Sequence, residues 1–233
     1  MYGPRCRRRM RRIKERRLSY MLFPIPDRLM FTETPFTLFI ILITVLVSGY
    51  ALYFDRSLID KLSFRPDRIR RDGEYYRLLT AGFIHGGPGH LAFNMLTLFF
   101  FGPSLERMLG SGAFLLVYFV SELVAHGFTL WWQRKAASYA AVGASGAISG
   151  VLLSYCLFRP FDRIGLFFAI WMPAWLFAVG FLVFSVIAMR KRDPKAMGGI
   201  AHEAHLGGAI GGLLATLLLE PSALSIFLRQ VGF

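Results

Sequence analysis

The sequence predicts an all-α fold, a polytopic membrane protein built as a bundle of six transmembrane helices, on three observations. Of the 233 residues, 55% are hydrophobic and the mean hydropathy is +0.49, too apolar for a soluble domain to hide in one core. Six apolar runs, near 35–54, 91–105, 113–132, 139–158, 164–189 and 203–219, approach the length needed to cross roughly 30 Å of hydrocarbon at about 1.5 Å per residue. None alternates apolar with polar residues at period two, so a helical bundle is favoured over a barrel.

The first element is a basic arm, residues 1–34. The formal charge of +13 could suggest nucleic acid, but nine of the 27 basic residues crowd into Arg5–Arg17, a stretch with one acid, Glu15. Such a tail before a first span is a topology signal that holds the end in the cytoplasm, so no nucleic-acid partner is expected. With six spans both termini are then cytoplasmic, as in a multi-pass protein of the bacterial inner membrane. Over the whole chain the rule is nearly silent, with 14 basic residues inside and 13 outside, so orientation rests on that cluster. No apolar core with a small-residue cleavage site follows the arm before Pro24 and Pro26, which sets it apart from a signal peptide.

The spans and their connections are expected over 35–220, with a short cytoplasmic tail at 221–233. The connection at 55–90 is unusually long, and a loop of that size is generally functional or folded in its own right. Leu58, Leu62, Phe64, Ile69, Tyr75 and Leu78 among basic residues suit a structure half sunk in the outer interface. Shorter hinges fall at Gly102-Pro103, Gly110-Ser111-Gly112, Arg159-Pro160 and Asp193-Pro194. Cys6 lies in the arm and Cys156 deep in an apolar run, so a disulfide between them is not expected.

Polar groups at lipid depth are expensive and are therefore candidates for a site. Three segments carry them. In His85-Gly-Gly-Pro-Gly-His90-Leu-Ala-Phe-Asn94, His90 and Asn94 share one helix face and offer two donors to one point, as an oxyanion site requires. In Gly143-Ala-Ser145-Gly146-Ala-Ile-Ser149-Gly150, a Ser at a helix start has an accessible hydroxyl and an unpaired N–H. In His202-Glu203-Ala-His205-Leu-Gly-Gly208-Ala-Ile-Gly-Gly212, His205, Gly208 and Gly212 fall on one stripe. Gly146 with Gly150, and Gly208 with Gly212, make small-residue faces that would let two spans approach until the Ser hydroxyl reaches the imidazole.

Depth supports the same grouping. Ser145 is 14 residues above Arg159 and His205 is 15 above Glu220, which puts both roughly 21–23 Å above the inner boundary. Asn94, 12 residues above Glu106, falls near 18 Å and His90 near 24 Å. Four polar groups from three spans thus share one layer below the outer surface.

These motifs, together with Glu74-Tyr-Tyr-Arg77-Leu-Leu-Thr-Ala-Gly-Phe-Ile-His85 and Leu105-Glu106-Arg107 with Gly110, resemble in kind and order the rhomboid family of intramembrane serine proteases, from about residue 35 to 220. The resemblance implies a six-span bundle of rhomboid type that cuts other membrane proteins inside the bilayer. It implies Ser145 as nucleophile, His205 as general base, His90 and Asn94 as oxyanion donors with the Ser145 N–H, and His85 as a structural histidine of the outer loop. Arg77 and Glu106 lie in the matching motifs as structural residues. Some family members carry an aromatic residue four after the nucleophile, stacked on the catalytic imidazole; here that position is Ser149. No metal or cofactor is implied, and the partners are single-span or other membrane-protein substrates and the lipid bilayer.

Three rival readings compete. A metal site from His85, His90, His202 and His205 leaves Ser145 and Asn94 unexplained, and His202-Glu-Ala-His205 is one residue short of the zinc signature His-Glu-x-x-His. A rhomboid-like protein that binds membrane helices without cutting them would be signalled by loss of the Ser or His, and both are present. A channel or transporter would want charge across the full depth, whereas the polar groups here occupy the outer third.

Overall fold

The computed structural model describes residues 33–136, 138–166, 170–191 and 201–232. The chain is mostly helical. Helix α1 (Pro35–Tyr53) opens it, with a proline in its first turn where the missing N–H costs nothing. The basic arm, Cys6 included, lies almost wholly outside the described residues.

The long outer loop is folded. Short helices α2 (Ser57–Leu62), α3 (Pro66–Asp72) and α4 (Arg77–Thr80) lead through a 3-10 turn at Ala81–Phe83 to helix α5. Arg77, 5% exposed, is their hub. Its guanidinium donates to the Asp60 carbonyl (2.9 Å), the Ser63 carbonyl (2.8 Å) and the Glu74 carboxylate (2.5 Å). A planar fork with several donors suits three acceptors at once. Phe64, Ile69, Ala81 and Tyr139 form a small core beneath.

Helices α5 (Pro88–Leu109) and α6 (Ser111–Trp132) run back to back about Gly110, whose φ of +78° favours glycine. Glu106, 1% exposed, accepts from the N–H groups of Phe36 (3.1 Å) and Thr37 (2.8 Å) and the hydroxyls of Thr37 (2.7 Å) and Ser111 (2.8 Å). The carboxylate sits where the dipole of α1 favours negative charge and supplies the cap that Thr34 does not. It ties α1 to the α5–α6 turn.

Helix α7 (Ser145–Phe158) is the centre of the bundle, buried along nearly its whole length. A two-stranded antiparallel hairpin follows, β1 (Arg163–Leu166) and β2 (Ile170–Pro173), with Arg163 opposite Pro173. The chain ends in α8 (Ala174–Lys191), α9 (His202–Leu219) and α10 (Ser222–Val231). Helix α7 touches α5, α6, α8, α9 and α10, while α1 packs chiefly on α5.

Three sequence expectations need correction. The fourth apolar run is not helical from 139, since Ala141 pairs with Phe64 as a β-bridge, and the helix begins at Ser145, as the glycine–serine motif implied. The fifth does not start at 164, because residues 163–166 pair with 170–173 as two strands and the helix begins at Ala174. The stretch 221–233 holds a helix, bent 106° from α9 at Pro221. Among the described residues, two helices, α1 and α6, are individually long and apolar enough to cross a membrane, or three spans if α9 and α10 count as one broken span. Helices α7 and α8 are apolar but shorter. Large side chains such as Phe39, Leu46, Leu116, Phe184 and Leu218 stand exposed along the bundle's outside, as lipid-facing positions would.

Candidate active site

The sequence-predicted residues meet at one end of the bundle, the end that carries the 55–87 loop. Ser145 is the first residue of α7, His205 lies in the first turn of α9, and His90 lies in the first turn of α5. The Ser145 hydroxyl and His205 Nε2 are 2.9 Å apart. That distance is a hydrogen bond, and it joins a hydroxyl to an imidazole.

The helices come this close because glycine faces glycine. A Cβ on Gly208 would overlap the Gly146 carbonyl, and one on Gly212 would stand 2.7 Å from the Gly150 carbonyl carbon. Ser154 stitches the seam lower down, its one proton shared between the Gly150 and Gly212 carbonyls (2.8 and 3.1 Å) while its oxygen accepts from the Thr216 hydroxyl (2.7 Å).

At the start of α7 two backbone donors have acceptors. The Ala147 N–H donates to Glu122 Oε2 (3.2 Å) and the Ile148 N–H to the Ala144 carbonyl (2.9 Å). Among the described residues the Ser145 N–H has no acceptor, so it is available to an oxygen developing beside the hydroxyl.

His85 is fully buried and joins three segments. The Ser48 hydroxyl donates to the Phe83 carbonyl (2.8 Å), so the 2.9 Å contact between Ser48 and His85 Nδ1 must be donated by the imidazole. Nε2 is then a bare acceptor, and it takes one amide hydrogen of Asn94 (2.9 Å), with the Ala144 N–H at 3.5 Å. Burial, with His90 nearby, pushes this loop imidazole down to about 3, which keeps it neutral and in that tautomer. Asn94 retains a second amide hydrogen.

The His90 ring stands edge-on to His85, 5.0 Å between centroids, and is exposed. A Cβ on Gly143 would meet His90 Cε1 at 2.5 Å and Asn94 Nδ2 at 3.4 Å. Gly143 also has a φ of +112°. Absence of a side chain there lets both polar groups lie beside the nucleophile's turn, a role that the sequence reading did not assign to it. The signal was present, a glycine two residues before the serine.

Phe181, missed entirely, answers how the imidazole is held. Its ring, on α8, stacks on His205 at 5.7 Å and 28°, while His202 meets His205 edge-on at 5.8 Å. Ser149, at the position where an aromatic was sought, donates instead to the Ser145 carbonyl (2.6 Å). Among the described residues, His, Cys, Asp and Glu side chains nowhere gather in a group of three or more suited to a metal ion.

A family model described as the rhomboid domain matches residues 72–222. The chain belongs to the rhomboid family. Rhomboids are membrane-embedded, and this one is similar to the rhomboid protease GluP of Bacillus subtilis, 34% identical over 155 residues, 66% of this chain and 28% of that protein. It is 45% identical over 91 residues to the putative rhomboid protease YdcA of the same organism, 38% of this chain and 45% of that one. A mitochondrial rhomboid protein 1 of Saccharomyces cerevisiae is 33% identical over 141 residues, 59% of this rhomboid and 40% of the yeast protein. The matched stretches thus span between about a quarter and a half of these relatives' lengths.

Proposed function

We propose that this rhomboid is an intramembrane serine endopeptidase that cleaves transmembrane segments of other membrane proteins. The observation that carries the reading is the 2.9 Å contact between the Ser145 hydroxyl and His205 Nε2 in a layer of polar side chains at one end of an apolar bundle. His205 takes the hydroxyl proton as Oγ attacks the scissile carbonyl carbon. The resulting oxyanion is stabilised by the Ser145 N–H, the second Asn94 amide hydrogen and the His90 ring. His205 then protonates the leaving amine, and a water attacks the acyl-enzyme with the same base in reverse. His85 positions Asn94 rather than touching substrate.

The rest of the reading follows from that site. We assign 35–220 to six spans, counting α5, α7 and α8 with those long enough alone, and 1–34 and 221–233 to cytoplasmic ends. Relatives include bacterial and mitochondrial proteins; we assign this chain to a bacterial inner membrane, and the Arg5–Arg17 cluster favours a cytoplasmic N-terminus with the site toward the outer face. Substrates are membrane helices weakened near their outer end, since the scissile bond must be extended to reach Ser145.

The test is cleavage of a panel of single-span reporters by the purified protein. Ser145→Ala and His205→Ala are each expected to abolish it with folding intact, and a chelator to leave it unchanged. Asn94→Ala and His90→Ala should lower turnover roughly 10²–10³-fold without abolishing it. Chelator-sensitive cleavage that survives Ser145→Ala would transfer the activity to a metal site. Binding of reporters without cleavage by wild type would make this a non-cleaving rhomboid.

A further inference from the structure

Behind the dyad, five buried side chains touch in sequence. Glu122 on α6 accepts the Ala147 N–H, two residues after Ser145 (3.2 Å). Its other oxygen is 3.3 Å from His126 Nδ1, which is also 2.7 Å from the Leu78 carbonyl. A carbonyl only accepts, so Nδ1 carries the proton and donates it to Leu78, while Glu122 Oε1 packs against the same nitrogen without a hydrogen bond. The Phe64 ring lies flat on this imidazole at 4.7 Å and 9°, and Tyr139 meets Phe64 edge-on at 6.2 Å and 86°. The Tyr139 hydroxyl donates to Glu203 (2.7 Å), two residues before His205, as does the Gln133 amide (2.8 Å). Paired backbone bonds between Phe64 and Ala141 lock the middle of the chain, at 2.9 and 3.0 Å.

All five are 9% exposed or less, and two are carboxyl groups inside an apolar bundle. Burying such groups is costly unless their partners are supplied. None of these bonds reaches Ser145 or His205, so proton transfer does not explain them. Their endpoints do. Helix α7 has no side-chain cap of its own, since Ala144 occupies that place. Glu122 reaches over from α6 to accept from the first turn, where a carboxylate is favoured. Taking the Ala147 N–H, it leaves the Ser145 N–H to the oxyanion. Glu203 stands in the first turn of α9, two residues before the base. A Cβ on Gly82 would strike Glu122, so the loop closes onto this carboxylate only because glycine is there.

We infer that Glu122–His126–Phe64–Tyr139–Glu203 is a positioning belt that sets the outer ends of α7 and α9 through the outer loop, and so holds the Ser145–His205 distance. The inference rests on the serine-protease reading and adds residues that act through the dyad. Loosening the belt displaces the nucleophile from the base without removing either, and misplacement of about 1 Å costs on the order of 10² in rate.

The test uses the full chain in lipid nanodiscs, with three readouts: reporter kcat and KM, labelling of Ser145 by a fluorophosphonate, and unfolding temperature. Glu122→Leu should lower kcat and labelling about 10²-fold with KM within about threefold. Glu122→Gln, whose amide oxygen still accepts the Ala147 N–H, should return to within about fivefold of wild type. Tyr139→Phe, which removes one hydroxyl, should cost about tenfold in kcat, the effect of roughly 1.4 kcal/mol. If the ends are coupled, Glu122→Leu with Tyr139→Phe loses less than the product of the two single losses. Multiplying losses, or losses that fall in step with the folded fraction, overturn the belt. Should Glu122→Leu fail to fold, Tyr139→Phe decides alone: unchanged kcat overturns the inference. Ser145→Ala runs alongside; if it cleaves and labels like wild type, the protease reading fails and the belt's purpose with it.

Discussion

At the scale of single residues, the His205 imidazole lies between two rings, Phe181 stacked on it and His202 edge-on. Ser145, His205, His90, Asn94 and His85 stand out because a polar side chain among apolar neighbours is costly and needs a reason. Phe181 is one of 23 phenylalanines, and no spacing along α8 says that its ring meets an imidazole on α9. Its place can be tested. An offset aromatic contact contributes about 0.5–1.5 kcal/mol beyond burial, so Phe181→Ala should lower kcat roughly two- to tenfold, with KM little changed. Phe181→Tyr keeps the ring and should stay near wild type. Equal kcat in Phe181→Ala and wild type would leave His202 as the sole aromatic neighbour that matters. Gly143 makes the sharper prediction, because a side chain there meets both a φ of +112° and the His90 ring. Gly143→Ala should cost about 10²-fold in cleavage, with far less effect on unfolding temperature; a loss confined to stability would separate the turn from the chemistry.

At the scale of elements, helix types were readable but two apolar runs extend beyond their helices, for one reason. Residues 139–144 and 164–173 are apolar enough to pass for helix, yet their backbone groups find partners elsewhere, Ala141 on Phe64 and β1 on β2. Tertiary pairing overrides a local pattern that hydrophobicity alone cannot resolve. The glycine faces were readable because small residues at a four-residue spacing have few uses in lipid other than close packing. Gly208→Ala puts a methyl group into the Gly146 backbone and should slow cleavage, and Gly208→Leu should remove most of it, about 10²-fold, while both catalytic side chains remain. Leu218→Ala, on the same helix but 81% exposed, is the control and should keep nearly full rate. Near-normal activity in Gly208→Leu would place the dyad's support elsewhere, in the outer loop rather than the seam.

At the scale of the whole molecule, two charged hubs fasten the bundle at opposite ends. Arg77 gathers the outer loop, and Glu106 ties α1 to the α5–α6 turn. Both motifs were visible in the sequence, but their partners were not, since Asp60, Ser63 and Thr37 are brought to them only by folding. Each is a buried side chain with two main-chain groups among its partners, so truncation strands those groups as well as removing the bonds. Losing one side of such an arrangement costs about 3–5 kcal/mol. Arg77→Ala and Glu106→Ala should therefore each lower the unfolding temperature strongly. Their consequences for cleavage should differ. Arg77 holds the loop that closes over His85 and Asn94, so its loss should also reduce kcat per folded molecule, whereas Glu106 lies at the far end of α5 and should leave kcat per folded molecule near wild type. Because the two hubs share no partner, their stability losses should add to within about 0.5 kcal/mol in the double variant. A double variant much more stable than that sum would mean that the two ends of the bundle unfold as separate units.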